Sequence, residues 1–164
     1  MRLLSSDGAL LDLRPIAYQY GANPRAAVGT DWDANWLMVQ GNVRTAEGRD
    51  WTFTDPCLTT WEAREIGSWL RGVVAGLVAP ATERPEEADL LCFTEPNVAL
   101  SLVGRSEGRV QVRVHFSLEA LPPWLGLRVR PEIFAYFVAF DLSIDELAAA
   151  AEEWDRDCEP FSMR

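Results

Sequence analysis

Side chains able to do chemistry are few in this sequence, and they stand apart from one another. The single histidine, His115, falls in a run where Val110, Val112, Val114, Phe116 and Leu118 alternate with Gln111, Arg113, Ser117 and Glu119. That alternation predicts a strand with one buried and one wet face, and it places His115 on the wet face as a surface side chain. Without a second histidine, neither a zinc-hydrolase ligand set nor a Ser-His-Asp triad can be assembled. Cys57, Cys92 and Cys158 lack the close pairing of a disulfide framework or a structural zinc site. Cys57 stands just before a predicted helix start, where backbone amides and the helix dipole favour a thiolate nucleophile. The commoner use of such a cysteine is as a small apolar residue closing a strand-to-helix corner. Gly8, Gly21, Gly41 and Gly48 stand singly, so no glycine-rich phosphate loop is present.

The carboxylates form two groupings. Asp31 and Asp33 flank Trp32 in a loop, and Glu95 precedes Pro96 and Asn97 between two predicted strands. Paired carboxylates serve glycoside or metal chemistry, but no ligand spacing accompanies these, and a solvated loop accounts for them equally. The run Glu152, Glu153, Asp155, Asp157 and Glu159 reads either as a solvated helix face or as a docking surface for a basic protein. Trp32 and Trp36 read either as core packing or as exposed anchors of such a surface. No catalytic, cofactor-binding or metal-binding residue is assigned. The candidate partner-binding residues are Asp31, Trp32, Asp33, Trp36, Glu95, Asp155 and Asp157. The Asp31–Asp33 loop is the stronger cluster, because it couples charge to an aromatic side chain.

These residues need elements to hold them. Two short apolar stretches, 9–13 and 16–20, are interrupted by Pro15 and read as strands meeting at an edge or bend. A polar loop, 21–35, leads to a strand over 36–44 with Leu37, Val39, Gly41 and Val43 on one face. A turn at Ala46, Glu47 and Gly48 starts a return strand through Trp51 and Phe53, which Asp55 and Pro56 are expected to end. Thr59 and Glu62 form a capping-box signature before a helix whose stripe is Ile66, Trp69, Leu70, Val73 and Leu77, with Gly76 as its stop. A loop spans 79–88. Strands are expected over 90–94, 98–103 and 109–119, with a turn at Ser106, Glu107 and Gly108. Residues 132–142 are apolar on both faces and read as a central strand covered twice. Ser143 and Glu146 form a second capping box, starting a helix over 144–157 that packs through Leu147, Ala151 and Trp154. Two helices on a largely antiparallel sheet of about seven strands make an α+β domain.

Composition bounds the rest. The chain has 164 residues and is 48% hydrophobic with seven Trp, enough for one domain, 1–164, with a substantial core. Its net charge is −10, and the sequence pI is about 4.5. Such a polyanion is a poor binder of nucleic acid or anionic lipid. All fifteen cations are Arg; residues 1–130 carry a balance of −3 and residues 131–164 a balance of −7. No stretch approaches ~18 consecutive apolar residues, and the first residues are too short of apolar character for a signal peptide. Together with unpaired cysteines, this predicts a cytoplasmic protein.

One resemblance stands out. The run Phe53-Thr54-Asp55-Pro56-Cys57-Leu58-Thr59-Thr60-Trp61-Glu62, with the helix through Trp69 and Leu70, resembles the central segment of the WapI-type immunity family. So do Phe93-Thr94-Glu95-Pro96-Asn97, the opening Trp36-Leu37-Met38-Val39, and the Ser143-x-x-Glu146-Leu147 helix with its Phe161-Ser162-Met163-Arg164 tail. The likeness covers roughly residues 30–164, and its motifs are structural corners rather than a site. It implies a small cytosolic protein that neutralises the C-terminal nuclease domain of a contact-dependent WapA toxin by binding it. No cofactor and no catalytic residue is implied. A non-catalytic binding or scaffold domain with another partner is the alternative, and an enzyme of unrecognised type is the less favoured third.

Overall fold

The computed structural model describes residues 1–21, 31–82, 87–125 and 131–164. Most of the 21–35 loop and part of the 79–88 loop therefore lie outside the described residues. Seven strands, all paired antiparallel, form two sheets. The first contains β1 (Arg2–Leu4), β2 (Leu10–Tyr18), β3 (Trp36–Arg44) and β4 (Asp50–Thr59) in the order β1-β2-β3-β4. The second contains β5 (Val98–Ser106), β6 (Arg109–Phe116) and β7 (Tyr136–Ser143) in the order β5-β6-β7. Two helices, α1 (Thr60–Val74) and α2 (Ile144–Cys158), complete the α+β architecture.

Local sequence explains most of this. On β3, Leu37, Val39, Gly41 and Val43 are buried, as alternation requires. Both helices start in a complete capping box: Thr59 with Glu62, and Ser143 with Glu146. α1 ends where Gly76 adopts φ +75° and the Leu77 N–H donates to the Gly72 carbonyl at 2.8 Å, a glycine-terminated C-cap. Leu77 thus falls beyond the helix and is exposed, while Ile66, Leu70 and Val73 are buried. Trp154 of α2 is fully buried and donates its indole N–H to the Ala63 carbonyl of α1 at 2.6 Å.

Several expectations need correcting. The strands are divided between two sheets instead of forming one. β4 carries the outer edge of the first sheet, Pro56 offers no ladder N–H there, and the chain then leaves through α1. The layers meet through aromatic side chains: Trp51 of β4 lies 5.2 Å from Phe116 of β6, edge-on, and donates to the Ala120 carbonyl at 3.0 Å. The stretches around Pro15 form one strand, with a register irregularity between Pro15 and Ala17 absorbing the proline. β4 does not stop at Asp55 and Pro56 but continues to Thr59. Leu37 pairs with Leu58 and Met38 with Pro56, leaving Cys57 as an extra, bulged residue. Residues 90–94 make only an isolated bridge, Leu91 with Leu100. Finally, β7 is an edge strand, not a central one, and it starts at Tyr136; its second face carries the exposed Phe137, while Ile133 is exposed in the turn before it.

Candidate functional site

At one end of the fold a groove of about 570 Å³ is lined by Gln19, Tyr20, Asp33, Trp36, Asp55, Pro56, Glu95 and Glu119. It brings together Asp33, Trp36 and Glu95, three of the residues singled out in the sequence. It adds Tyr20, Asp55 and Glu119, which sequence reasoning did not select. Among the described residues, the lining holds four carboxylates and neither Lys nor Arg.

Asp33 and Glu95 are each delivered by a specific local device. Asp33 opens a short 3₁₀ turn, Asp33–Asn35, whose Ala34 N–H donates to the Asp31 carboxylate at 3.2 Å. Asp31 is thereby a local cap. Asn35, fully buried, anchors that turn. Its side-chain amide donates to the Asp31 carbonyl (2.6 Å) and the Arg164 carbonyl (2.8 Å), and its oxygen accepts from the Thr60 hydroxyl (2.8 Å) and the Arg164 N–H (2.9 Å). Glu95 is positioned through Glu62. One carboxylate oxygen of Glu62 accepts from the Thr59 N–H and hydroxyl, and the other accepts from the Thr94 N–H at 2.7 Å. One side chain therefore ties the start of α1 to the segment bearing Glu95. Asp55 occupies the β4 stretch just before the bulge, half-buried beside that segment.

Burial, followed by the carboxylates of Glu119 and Glu95, holds the Asp55 carboxyl above its ordinary range. Yet among the described residues no three His, Cys, Asp or Glu side chains converge on one point as a metal site would need. The four acids are spread along the groove lining. Tyr20 is about half exposed. Arg164, beside the groove, is already engaged: it stacks over Tyr18 at 3.3 Å and donates to the Tyr20 carbonyl at 3.1 Å.

Trp32, 54% exposed, follows Asp31 and stacks on Trp61 of α1, with centroids 5.0 Å apart and planes at 23°. It is an exposed aromatic held rigidly by a neighbour, not a core residue. Asp155 and Asp157 are elsewhere. Asp155 pairs with Arg71 across the two helices, and Asp157 pairs with the Met1 amine at 2.8 Å. Neither lines the groove.

The reactive candidates are structural. Cys57 is fully buried, and desolvation drives its thiol far above the ordinary value, the reverse of an activated nucleophile. Cys158 is likewise pushed up to about 12 by burial. His115 is not on a wet face. It is 1% exposed, its Nδ1 lies 2.7 Å from the Phe134 carbonyl, and its Nε2 lies 2.9 Å from the Ser101 hydroxyl. Desolvation lowers its pKa, so the neutral ring donates to the carbonyl and accepts from the serine. The alternation of β6 was legible, but a lone polar residue carries no sign of the Ser101 and Phe134 groups that make its burial tolerable.

Comparison with known families bears on this arrangement. The description "Immunity protein WapI-like family" applies to a family whose model matches residues 2–162. The chain belongs to the WapI-like immunity protein family. The match includes both capping-box helices, as well as the β4 bulge and the Phe93–Asn97 segment beside the groove. No functionally curated protein matches the chain. An immunity role implies a protein toxin as partner. Among the described residues no helix is long and apolar enough to cross a membrane.

Proposed function

We propose that this WapI-like protein neutralises a basic nuclease toxin domain by binding, and that the acidic groove with the adjoining Trp32–Trp61 stack is its docking face. The observation that carries the reading is the grouping of Asp33, Asp55, Glu95 and Glu119 around Tyr20 and Trp36, with no cation among the described residues of the lining. Asp55, whose carboxyl is held above its ordinary range by burial and then by neighbouring acids, is the kind of perturbed group that clusters at functional sites. A nuclease presents a basic cleft for phosphates, and a groove of this sign is its electrostatic complement. The stacked, exposed Trp32 supplies an aromatic anchor at low entropic cost. Binding rather than catalysis is supported by the burial of Cys57 and by the engagement of both ring nitrogens of His115.

Surface-binding kinetics against an inactivated cognate toxin at several salt concentrations test the reading. Association should slow by about tenfold or more as exposed charges become screened. Asp33→Asn combined with Glu95→Gln should lower the association rate, whereas Trp32→Ala should speed dissociation. Neutralising Asp155 and Asp157 should leave association nearly unchanged, because those charges are already paired within the molecule. An association rate indifferent to salt and to the groove variants would refute the docking face.

A further inference from the structure

Four strands carry sheet edges, and three of those edges are interrupted, bridged or very short. β4 has Pro56 and the Cys57 bulge, with Trp51 bonded to Ala120 beside it. β5 is bridged by Leu91, which exchanges both backbone bonds with Leu100 at 2.9 Å, and by the Ala81 N–H, which donates to the Leu102 carbonyl at 2.7 Å. β1 is three residues long. Short strands, proline, bulges and covering segments are the usual means of protecting an edge.

β7 is closed only in part. The Asp141 N–H donates to the Ser5 hydroxyl at 3.1 Å, and the Ser143 N–H donates to the Glu146 carboxylate at 2.7 Å, so both point away from β6. The Ile144 N–H, one residue on, turns back to the Gly108 carbonyl at 3.0 Å. Pairing with β6 runs without a shift from Tyr136 opposite Phe116 to Ser143 opposite Arg109. In an antiparallel ladder the backbone groups of alternate residues face alternate sides. The N–H and C=O groups of Phe137 and Ala139 must therefore also face away from β6, and no backbone bond from another described residue closes them. They open into a groove of about 360 Å³, lined on its far side by Asp7, Ala9 and the Thr45–Glu47 turn.

We propose that this stretch of β7 is a strand-addition site that takes a short extended segment of a basic protein partner. Two outward residues, separated by one that faces β6, present donors and acceptors in the repeat that an extended backbone satisfies. The edge faces the Asp7–Ala9 and Thr45–Glu47 segments across that groove. A net charge of −10 on each copy opposes self-pairing. Asp7 and Glu47 give the groove an acidic rim. The cations nearby, Arg49 and Arg113, are turned onto the Trp124 and Phe137 rings at 4.0 and 4.6 Å. The inference rests on the immunity reading only in taking the partner to be a protein.

The test is backbone amide exchange and chemical shift in the whole, isotope-labelled protein. The probe is a capped alternating Arg/Val pentapeptide, compared with its backbone N-methylated twin and with an alternating Glu/Val counterpart. In the free protein the amides of Phe137 and Ala139 should exchange at least ~10-fold faster than those of Val138 and Phe140. The Arg/Val peptide should slow both by at least ~10-fold, while the methylated twin and the acidic peptide should not. Ala139→Pro removes an outward donor without touching the β6 ladder and should abolish the effect. If that variant does not fold, the methylated twin makes the same discrimination on the native chain. The proposal is overturned if the two amides are already as protected as their neighbours, or if saturating peptide leaves them unchanged. Protection that appears with protein concentration alone would replace the partner with a second copy and also overturn it. Shifts confined to Asp33, Asp55, Glu95 and Glu119 would defeat this site while leaving the acidic groove standing.

Discussion

Glu62 does with one carboxylate what usually takes several groups. It closes the cap of α1 through Thr59 and fixes the Thr94 amide, so the helix start and the Glu95 segment move together. Thr59→Ala removes the hydroxyl half of this cap and should cost ~1 kcal/mol in a thermal or denaturant melt. Asp55 behaves oppositely. Its folded-state pKa is raised, so the folded protein holds a proton more tightly than the unfolded chain, and stability falls as pH rises through that range. Asp55→Asn should therefore raise the melting temperature at pH 7, and the gain should shrink towards zero below pH ~4, where the aspartate is protonated in both states. The same variant should associate with the toxin more slowly. Melts of both proteins at pH 3.5 and 7 check the first part; an equal gain at both pH values would contradict it. The capping pairs were legible in the sequence because a cap is a contact between neighbours. The strain at Asp55 was not, because Glu95 and Glu119 lie 40 and 64 positions away.

At the scale of elements, periodicity was read well wherever one face is buried and the other wet. β3, α1 and α2 all follow their hydrophobic spacing. The β-strands around prolines were misjudged, since a bulge lets a strand carry Pro15 or Pro56 without ending. Close approach between strands yields a further expectation. Gly41 pairs with Phe53, and a Cβ on Gly41 would sit 2.2 Å from the Phe53 ring. Gly41→Ala should cost ~2 kcal/mol or more, because a buried ring must be displaced. Phe53→Leu in the same background should recover part of that loss, and a double-mutant cycle by denaturant unfolding would show the coupling. Strict additivity would mean that the ring is not what fills the glycine's place.

Over the whole molecule, one apolar cluster takes residues from both sheets and both helices. Phe116 sits at its centre, fully buried, with Trp51 at 5.2 Å and Phe53 at 6.1 Å across the layer boundary. Phe116→Ala should cost ~3–5 kcal/mol, and loss of tryptophan fluorescence should coincide with loss of secondary structure in a single transition. Separate transitions would show that the two sheets unfold independently. By itself the sequence determined both helices and most of the strands, the helix caps, the α+β class, the acid excess and the family likeness, because all of these depend on residues a few positions apart or on sums over the chain. Only the tertiary structure decided which acids come together. It gathered Asp33, Asp55, Glu95 and Glu119 around Tyr20 and Trp36, and it spent Asp155 on Arg71 and Asp157 on the Met1 amine. It also buried His115 and left the Phe137–Ala139 edge open. Those outcomes depend on which distant segments meet and on whether a polar group finds a partner there, and no local pattern of residues encodes either one.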